Sequence, residues 1–246
     1  MRRSLLWIPL IMWFASQNEV MPQVSISQKS NLMVDSILTR HEKAVGGKAV
    51  QKLKSLYATA QVTSPRGPYV TELFSMGTGK LLYRQTGPGT KRFSGYVVDT
   101  LAWSYDKNTG RSEKLDDTTA WVLRGHEFQI ISLFVDELFK QPSYTGQDSC
   151  GDFACSTVTV YDRMNQKTFL FFRNDNGLLT GLTFRKPYGE MEMIRVVFNE
   201  WKTVEGLTLP AKITITDNSG EYILCFVSFE FNTLPPEFFA IPEHLD

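Results

Sequence analysis

The chain has 246 residues, and its 26 Lys and Arg residues are balanced by 26 Asp and Glu residues, which gives a formal net charge of zero. Non-specific binding to nucleic acid requires a concentrated positive charge, so this balance argues against a nucleic-acid partner. The three histidines leave little material for a histidine-based metal site, whereas Phe, Tyr and Trp make up 13% of the chain.

The N-terminus has the pattern of a secretory signal peptide. Arg2 and Arg3 precede an apolar run over residues 5–14, which is too short to span a membrane because a spanning helix needs about 20 apolar residues. We therefore expect residues 1–16 to be a signal peptide that directs export, followed by a flexible segment over 17–30. The cleavage position stays open, because large aromatic residues interrupt the small-residue pattern. The alternative is an uncleaved N-terminus that anchors the protein in the inner membrane.

The first helix is predicted over residues 31–45, where apolar side chains recur at the spacing of one helix face. Gly46 and Gly47 then supply a C-terminal stop. His41 falls on the apolar face of this helix, so we interpret it as a packed histidine rather than a metal ligand.

Short strands separated by turns account for most of the remaining chain. Strands are predicted over residues 56–62, 69–76, 80–85, 92–98, 101–105, 157–162, 167–173, 178–185, 191–200, 211–216 and 221–231. Their close spacing, with turns rich in Gly, Pro, Asn and Asp, predicts antiparallel meanders rather than βαβ units. A second helix, capped by Asp117 or Thr118, interrupts the strands, and Gly125 weakens it or breaks it in two.

The spacing of two cysteines is consistent with a protein in an oxidising compartment. Cys150 and Cys155 lie in DSCGDFAC, where a disulfide would close a small loop. Their C-x4-C spacing is neither the redox motif nor a zinc knuckle, and two free thiols are the alternative. Cys225 lies in the apolar run YILCFVSFEF, and we interpret it as a small buried hydrophobic residue.

Two C-terminal strands are apolar on both faces. Within residues 222–231, strict alternation places Phe226 on one face and Phe229 on the other, and FLFF over 169–172 is similar. A sheet with one face in water should alternate apolar and polar residues. We therefore predict an α+β, mainly β domain over 31–246: a single large curved antiparallel sheet of ten or eleven strands, a half-barrel lidded by helices around an apolar cavity. The alternative is an ordinary filled core.

No motif for catalysis is present. The chain lacks G-x-S-x-G, H-E-x-x-H and the phosphate-binding P-loop, and its paired carboxylates look like helix-end or surface charges. We predict no catalytic residue, no metal site and no cofactor, although a glycosidase-like carboxylate pair assembled in space would leave no local motif.

Three stretches carry a family resemblance. They are VGGKAVQKLKSLYATAQV before and within the first predicted strand, VVDTLAWSYDKNTGRSEKL over 97–115, and the C-terminal residues 204–246. Together they resemble the LolA/LolB-like family of periplasmic lipoprotein carriers and outer-membrane lipoprotein-sorting proteins. In the second stretch Asp99 and Trp103 match the family's hairpin motif, whereas Thr100 stands where that family usually has Gly.

The resemblance implies a curved sheet with helices over an apolar cavity that carries acyl chains between the inner and outer membranes. It implies the periplasm of a Gram-negative-type bacterium as the location, lipoprotein acyl chains or other lipids as ligands, and membrane-bound donor and acceptor proteins as possible partners. The alternative is a periplasmic sensor domain of the same fold that binds a regulatory membrane protein.

The family also has an arginine on an early strand that helps to hold the lid closed. The best match is Arg84 in LLYRQ, although Gln85 replaces the proline of the family motif and the spacing differs by one residue. Such a shift reverses the face to which a strand side chain points, so Arg92 is the alternative. An exposed strand arginine with no such role is a further alternative.

Aromatic side chains suit an acyl ligand because it offers no directional groups. The candidates for the cavity wall are Trp103, Phe172, Phe226 and Phe229, and the candidates for the lid are Trp121 and Phe128. For each of them a place in the ordinary structural core is the alternative.

Overall fold

The computed structural model of the protein describes residues 26–87, 90–186 and 192–245. The predicted signal peptide over 1–16 and most of the predicted flexible segment over 17–30 lie outside these residues.

Helices occupy the beginning and the middle of the described chain. They are α1 (Ile26–Val45), α2 (Asp117–Arg124), α3 (Phe128–Leu133) and α4 (Val135–Leu138), with 3₁₀ helices over Gly47–Lys52 and Pro236–Phe239. The first helix begins inside the segment predicted to be flexible and ends at Val45, where it was predicted to end. Gly46 and Gly47 both have positive φ, which explains why glycine stands at this stop.

Strands make up most of the remainder. They are β1 (Ser55–Thr63), β2 (Tyr69–Met76), β3 (Lys80–Gly87), β4 (Thr90–Val98), β5 (Leu101–Asp106), β6 (Arg111–Lys114), β7 (Lys140–Cys150), β8 (Phe153–Tyr161), β9 (Lys167–Arg173), β10 (Leu179–Arg185), β11 (Met193–Val204), β12 (Leu207–Asp217) and β13 (Gly220–Phe231).

Within the described residues these strands form one antiparallel sheet in the order β6-β5-β4-β3-β2-β1-β13-β12-β11-β10-β9-β8-β7. The predicted curved antiparallel sheet is confirmed, and the sheet has thirteen strands rather than ten or eleven. The two additional strands are the edges, β6 and β7. Their sequences RSEK and KQPSYTGQDSC are polar and largely exposed, so they lack the apolar alternation by which strands were recognised.

The α-helices share one face of the sheet, whereas the 3₁₀ helix Pro236–Phe239 lies on the other. Helix α1 contacts β7 and β12, α2 contacts β3, β4 and β5, and α3 contacts β12. His41 of α1 is buried, as predicted, with Nε2 2.7 Å from the Ser132 carbonyl oxygen and Nδ1 3.2 Å from that of Gly177. A side chain at Gly95 would place its Cβ 2.7 Å from Leu123, so this glycine allows α2 to lie close to β4.

A bulge in β13 changes which aromatic side chains share a face. Thr59 pairs with Ser228 and Ala60 pairs with Phe226, which leaves Val227 as an extra residue in β13. The strict alternation predicted for this strand is therefore wrong beyond Phe226. Phe229 returns to the helix side, where its ring stacks on Phe226 with centroids 5.8 Å apart.

The outer face of the sheet carries a second apolar cluster, which we call the outer cluster. It comprises Phe74, Leu82, Val98, Trp103 and Phe239. The chain after β13 crosses this face, so that Leu234, Phe238 and Leu245 pack against the cluster. Trp103 is only 2% exposed and stacks on Tyr96 with ring centroids 5.1 Å apart.

The cysteines occupy two different environments. Cys150 and Cys155 form a disulfide across the turn between β7 and β8. Cys225 is exposed, which corrects the interpretation of a buried residue. It pairs with Gln61 and Lys212 on the outer side of the sheet, where apolar cover is lacking.

Replacing Trp103 with alanine is expected to destabilise the protein by about 3–5 kcal/mol, because a large side chain is removed from the outer cluster. The free energy of unfolding from denaturant titration measures this loss. The exposed Tyr105 of the same strand supplies a control, since Tyr105→Ala should change stability by less than about 1 kcal/mol. Equal losses in the two variants would contradict a stabilising outer cluster.

Candidate functional site

A cavity of about 400 Å³ lies beneath α2, between that helix and the sheet. Its size is within the usual range of small-molecule pockets. The apolar part of its lining comprises Val97, Ala120, Trp121, Ile131, Leu138, Phe139, Met164, Leu182 and Phe184. Charged residues line the same cavity, namely Asp99, Asp117, Arg124, Glu127, Asp162 and Arg163.

The lining of the cavity shows how strongly the sheet is curved. Val97 belongs to β4 and Leu182 belongs to β10, and six other strands lie between them in the sheet. In a flat sheet these two strands would be roughly 34 Å apart, because neighbouring strands are spaced by about 4.8 Å. Both residues line one cavity, so the sheet folds around it as the half-barrel that the sequence predicted.

Helix α2 lies over the cavity. Among the described residues, one side-chain hydrogen bond joins it to a turn on each side. On one side the Trp121 Nε1 group donates to Asp162 Oδ2 at 3.2 Å, in the turn between β8 and β9. On the other side the Arg124 Nη2 group donates to the carbonyl oxygen of Asp99, in the turn between β4 and β5. The N-cap of the helix is Asp116 rather than Asp117 or Thr118 as predicted, and its Oδ1 accepts the Thr119 N–H group at 2.8 Å.

Trp121 and its partner are each fixed by further contacts. Asp162 Oδ1 accepts the backbone N–H groups of Met164 and Gln166 at 2.9 and 2.7 Å, which holds the carboxylate in place. The Trp121 ring meets the Phe184 ring edge-on, with centroids 5.5 Å apart. Trp121 therefore provides both apolar wall and a polar anchor, as the amphipathic character of tryptophan allows.

Glu127 and Arg124 form a loose ion pair at the inner side of α2. The distance from Arg124 Nη1 to Glu127 Oε2 is 3.8 Å, and the Glu127 side chain is 3% exposed. Among the described residues, Glu127 Oε1 and Arg124 Nη1 have no hydrogen-bond partner. Burial raises the pKa of the Glu127 carboxyl to about 7, against the lowering effect of Arg124 and Arg163. Burial likewise lowers the pKa of the Arg124 guanidinium.

The sequence did not single out this pair. Glu127 stands directly before the apolar segment FQIISLF, and the only signal was a charged residue beside a run that had to be buried.

The aromatic candidates lie in three different places. Trp121 lines the cavity. Phe128, Phe172, Phe226 and Phe229 lie in or against the helix-side core and do not line it. Trp103 belongs to the outer cluster, which corrects its assignment to the cavity wall. The reason is the alternation along β5, where Ala102 faces the helices and Trp103 faces the opposite side.

Arg84 lies on the outer face and does not contact the helices. Its Nη1 atom is 3.8 Å from Glu72 Oε2, and its guanidinium lies 5.0 Å from the centroid of the Phe74 ring. Its assignment to the lid is therefore corrected, because its position in β3 directs it away from the cavity. Arg124, a residue of α2 itself, joins the lid helix to the β4–β5 turn. The side chain of the alternative, Arg92, lies outside the described residues.

A smaller cavity of about 170 Å³ lies between α1 and the segment of α3 and α4, next to His41. Burial raises the pKa of the Asp136 carboxyl at its edge, and the neighbouring Glu42 and Glu137 charges add to this effect. In the part of the chain that the structure describes, no group of His, Cys, Asp and Glu residues could hold a metal ion.

Replacing Glu127 with glutamine is expected to remove a pH dependence of stability. The pKa of Glu127 is about 7 in the folded protein and near 4.5 when unfolded, so the folded state binds more protons between these values. The stability of the wild type relative to the variant should therefore fall by about 2 to 3 kcal/mol as the pH rises from about 5 to about 8. Denaturant titrations at both pH values measure this. A constant difference between the two proteins would contradict a raised pKa.

The comparison with known proteins gives structural relatives and no sequence relatives. No family model matches the chain, and no curated protein matches it.

Solved structures match over most of the chain. A LolA superfamily protein from Nitrosomonas europaea has a TM-score of 0.64 and 16% identity, over 85% of this chain and 97% of its own. A domain assigned as an outer membrane lipoprotein-sorting protein from Vibrio parahaemolyticus has a TM-score of 0.59 and 13% identity, over 87% and 97%. A DUF1329 family protein from Desulfovibrio piger has a TM-score of 0.59 and 10% identity, over 84% and 96%. The resemblance predicted from the sequence is thus confirmed for the fold, since the chain shares the fold of a solved LolA superfamily protein.

Proposed function

We propose that the chain is an exported carrier that binds the acyl chains of lipids or lipoproteins in the cavity beneath α2. The observation that carries this proposal is a largely apolar cavity of about 400 Å³, enclosed by a curved sheet and covered by a short helix. Burial of an acyl chain there is favourable by ~0.8 kcal/mol per methylene group. The fold shared with a LolA superfamily protein supports the same conclusion.

A carrier must also release its ligand, and the attachment of α2 suits that requirement. The helix has eight residues and is held to the two turns by the Trp121 and Arg124 hydrogen bonds. Each such bond contributes only about 0.5–3 kcal/mol net, depending on the charge of the partners. Opening the lid breaks these bonds and exposes Leu123 of α2, which is buried in the helix-side core. This cost offsets part of the binding free energy.

The proposed location is the periplasm of a Gram-negative-type bacterium. The signal-peptide pattern over residues 1–16 and the Cys150–Cys155 disulfide both support export to an oxidising compartment. No helix in the described ranges combines the length and the hydropathy of a membrane span. A carrier between membranes would take its cargo from a membrane-bound donor and deliver it to a membrane-bound acceptor.

Native mass spectrometry of the mature protein, followed by lipid extraction, tests the proposal. We expect a co-purifying lipid, together with saturable displacement of a fluorescent acyl probe. The absence of both would overturn the proposal. Capture of a membrane-anchored regulatory protein without bound lipid would instead favour the sensor alternative.

Filling the cavity should abolish ligand binding. Ala120 lines the cavity, whereas Val122 on the same helix is exposed. Ala120→Phe is therefore expected to weaken binding of the acyl probe by about tenfold or more, because the added ring occupies the space of the ligand. Val122→Phe is the matched control and should bind like the wild type. Equal affinities in both variants would place the ligand elsewhere.

Removing one lid anchor should accelerate release. Trp121→Phe keeps an aromatic ring in the wall and loses the hydrogen bond to Asp162, so we expect the dissociation rate to rise by about threefold to tenfold. Stopped-flow dilution of the bound acyl probe measures this rate. Arg84→Gln, on the outer face, should leave the rate unchanged. An unchanged rate in Trp121→Phe would remove the anchoring role of that bond.

A further inference from the structure

The cavity contains one pair of polar atoms whose hydrogen bonding is incomplete. Glu127 Oε1 is an acceptor and Arg124 Nη1 is a donor, and both atoms are buried without a hydrogen-bond partner among the described residues. Glu127 is 4% exposed as a whole residue. Both residues line the cavity. Buried polar groups are nearly always hydrogen-bonded to protein, water or ligand, so an unpaired donor and acceptor at one site mark a place where a polar ligand group can bind.

Glu127 Oε1 requires a hydrogen-bond donor from the ligand, and Arg124 Nη1 requires an acceptor. An ionised carboxylate only accepts hydrogen bonds and a guanidinium only donates them. The ligand group must therefore donate to Glu127 Oε1 and accept from Arg124 Nη1. The two side chains are close, with 3.8 Å between Arg124 Nη1 and Glu127 Oε2. A single hydroxyl oxygen meets both requirements, since it carries one donor hydrogen and two acceptor lone pairs.

The charges around the pair disfavour an ionic head group. The titratable and charged groups around Glu127 are Asp117 and Arg124 on α2, Asp99 in the β4–β5 turn, Asp162 and Arg163 in the β8–β9 turn, and His126 beside it in the chain. Over the cavity lining as a whole, four carboxylates, counting Glu127, face two guanidinium groups, so an anionic head group would meet a net negative lining. An ammonium group would leave Arg124 Nη1 without an acceptor and would place two cations side by side.

We propose that the ligand of this cavity is a neutral lipid with a free hydroxyl group, such as an acylglycerol or a long-chain alcohol. Its hydroxyl donates to Glu127 Oε1 and accepts from Arg124 Nη1, and its acyl or alkyl chain lies against the apolar wall formed by residues such as Ile131, Leu182 and Phe184. This inference rests on the proposed function and adds the chemistry of the head group. The Glu127–Arg124 pair then selects the ligand, while the apolar wall supplies affinity.

The test compares ligands that differ only in the head group. Cetyl alcohol, cetyl methyl ether and palmitate are used to displace a fluorescent acyl probe from the mature protein, each below its micelle concentration and near pH 8, where Glu127 is ionised. Cetyl alcohol should bind at least about tenfold more tightly than the ether, which cannot donate, and more tightly than palmitate, which carries a charge.

Two variants test whether the Glu127–Arg124 pair causes the preference for cetyl alcohol. Glu127→Leu removes the acceptor and should bring the affinities for alcohol and ether together while the ether still binds. The double variant Arg124→Leu, Glu127→Leu should behave in the same way. It replaces the single variant in the test if that variant fails to fold, because apolar residues often replace a buried ion pair without loss of stability. Glu113→Leu, at an exposed position of β6, should keep the wild-type preference.

The outcomes separate the two proposals. If no ligand displaces the probe, the carrier function and the head-group inference are both overturned. If all three ligands bind alike, the acyl-chain carrier stands and the hydroxyl inference is overturned. The same holds if the preference for cetyl alcohol persists in both the single and the double variant.

Discussion

The pairing of β1 with β13 is the constraint on which the rest of the molecule depends. Every other neighbouring pair in the sheet joins consecutive strands, so each half of the chain could form its own meander. The β1–β13 pairing joins the two meanders across a long separation in the sequence. Only the joined sheet is wide enough to bring β4 and β10 to one cavity, and the bulge at Val227 lies within this same pairing. Bulges bend and twist a strand, which is the local change that a half-barrel needs.

The two faces of the sheet differ in how they are packed. The outer cluster is closed by the chain after β13 and holds Trp103. The helix side contains both a filled core and a cavity, so that stability does not depend on filling the cavity. Gly95 allows α2 to approach β4 closely, and Leu123 of α2 is buried in the helix-side core. Among the described residues, one side-chain hydrogen bond joins α2 to each of the two turns. The sheet thus supports a short lid helix that is attached through one buried side chain and two hydrogen bonds.

The sequence predicted the general architecture well, because the strands and turns follow rules that act over a few residues. The prediction failed where the position of a side chain depends on residues that are distant in the sequence. Phe229 was placed on the wrong face, because a bulge opposite Thr59 shifts the alternation and no local signal marks it. Arg84 was assigned to the lid, because the family motif indicated a position in the strand but not the face of the sheet to which the side chain points. Glu127 was missed, because its role arises only when α2 and α3 meet over the sheet. The edge strands were missed because polar strands do not alternate.

One of those edge strands also determines how the molecule behaves among its own copies. An open half-barrel presents unpaired backbone groups at its edges, which in general can template the addition of further strands. Strand β7 contains Pro142, two register shifts against β8, and positive φ angles at Gln141 and Gly146. Its distal end is fastened to β8 by the Cys150–Cys155 disulfide. This irregular border is a poor template for strand addition, so the sheet can stay open at β7 without presenting a regular edge to a second copy.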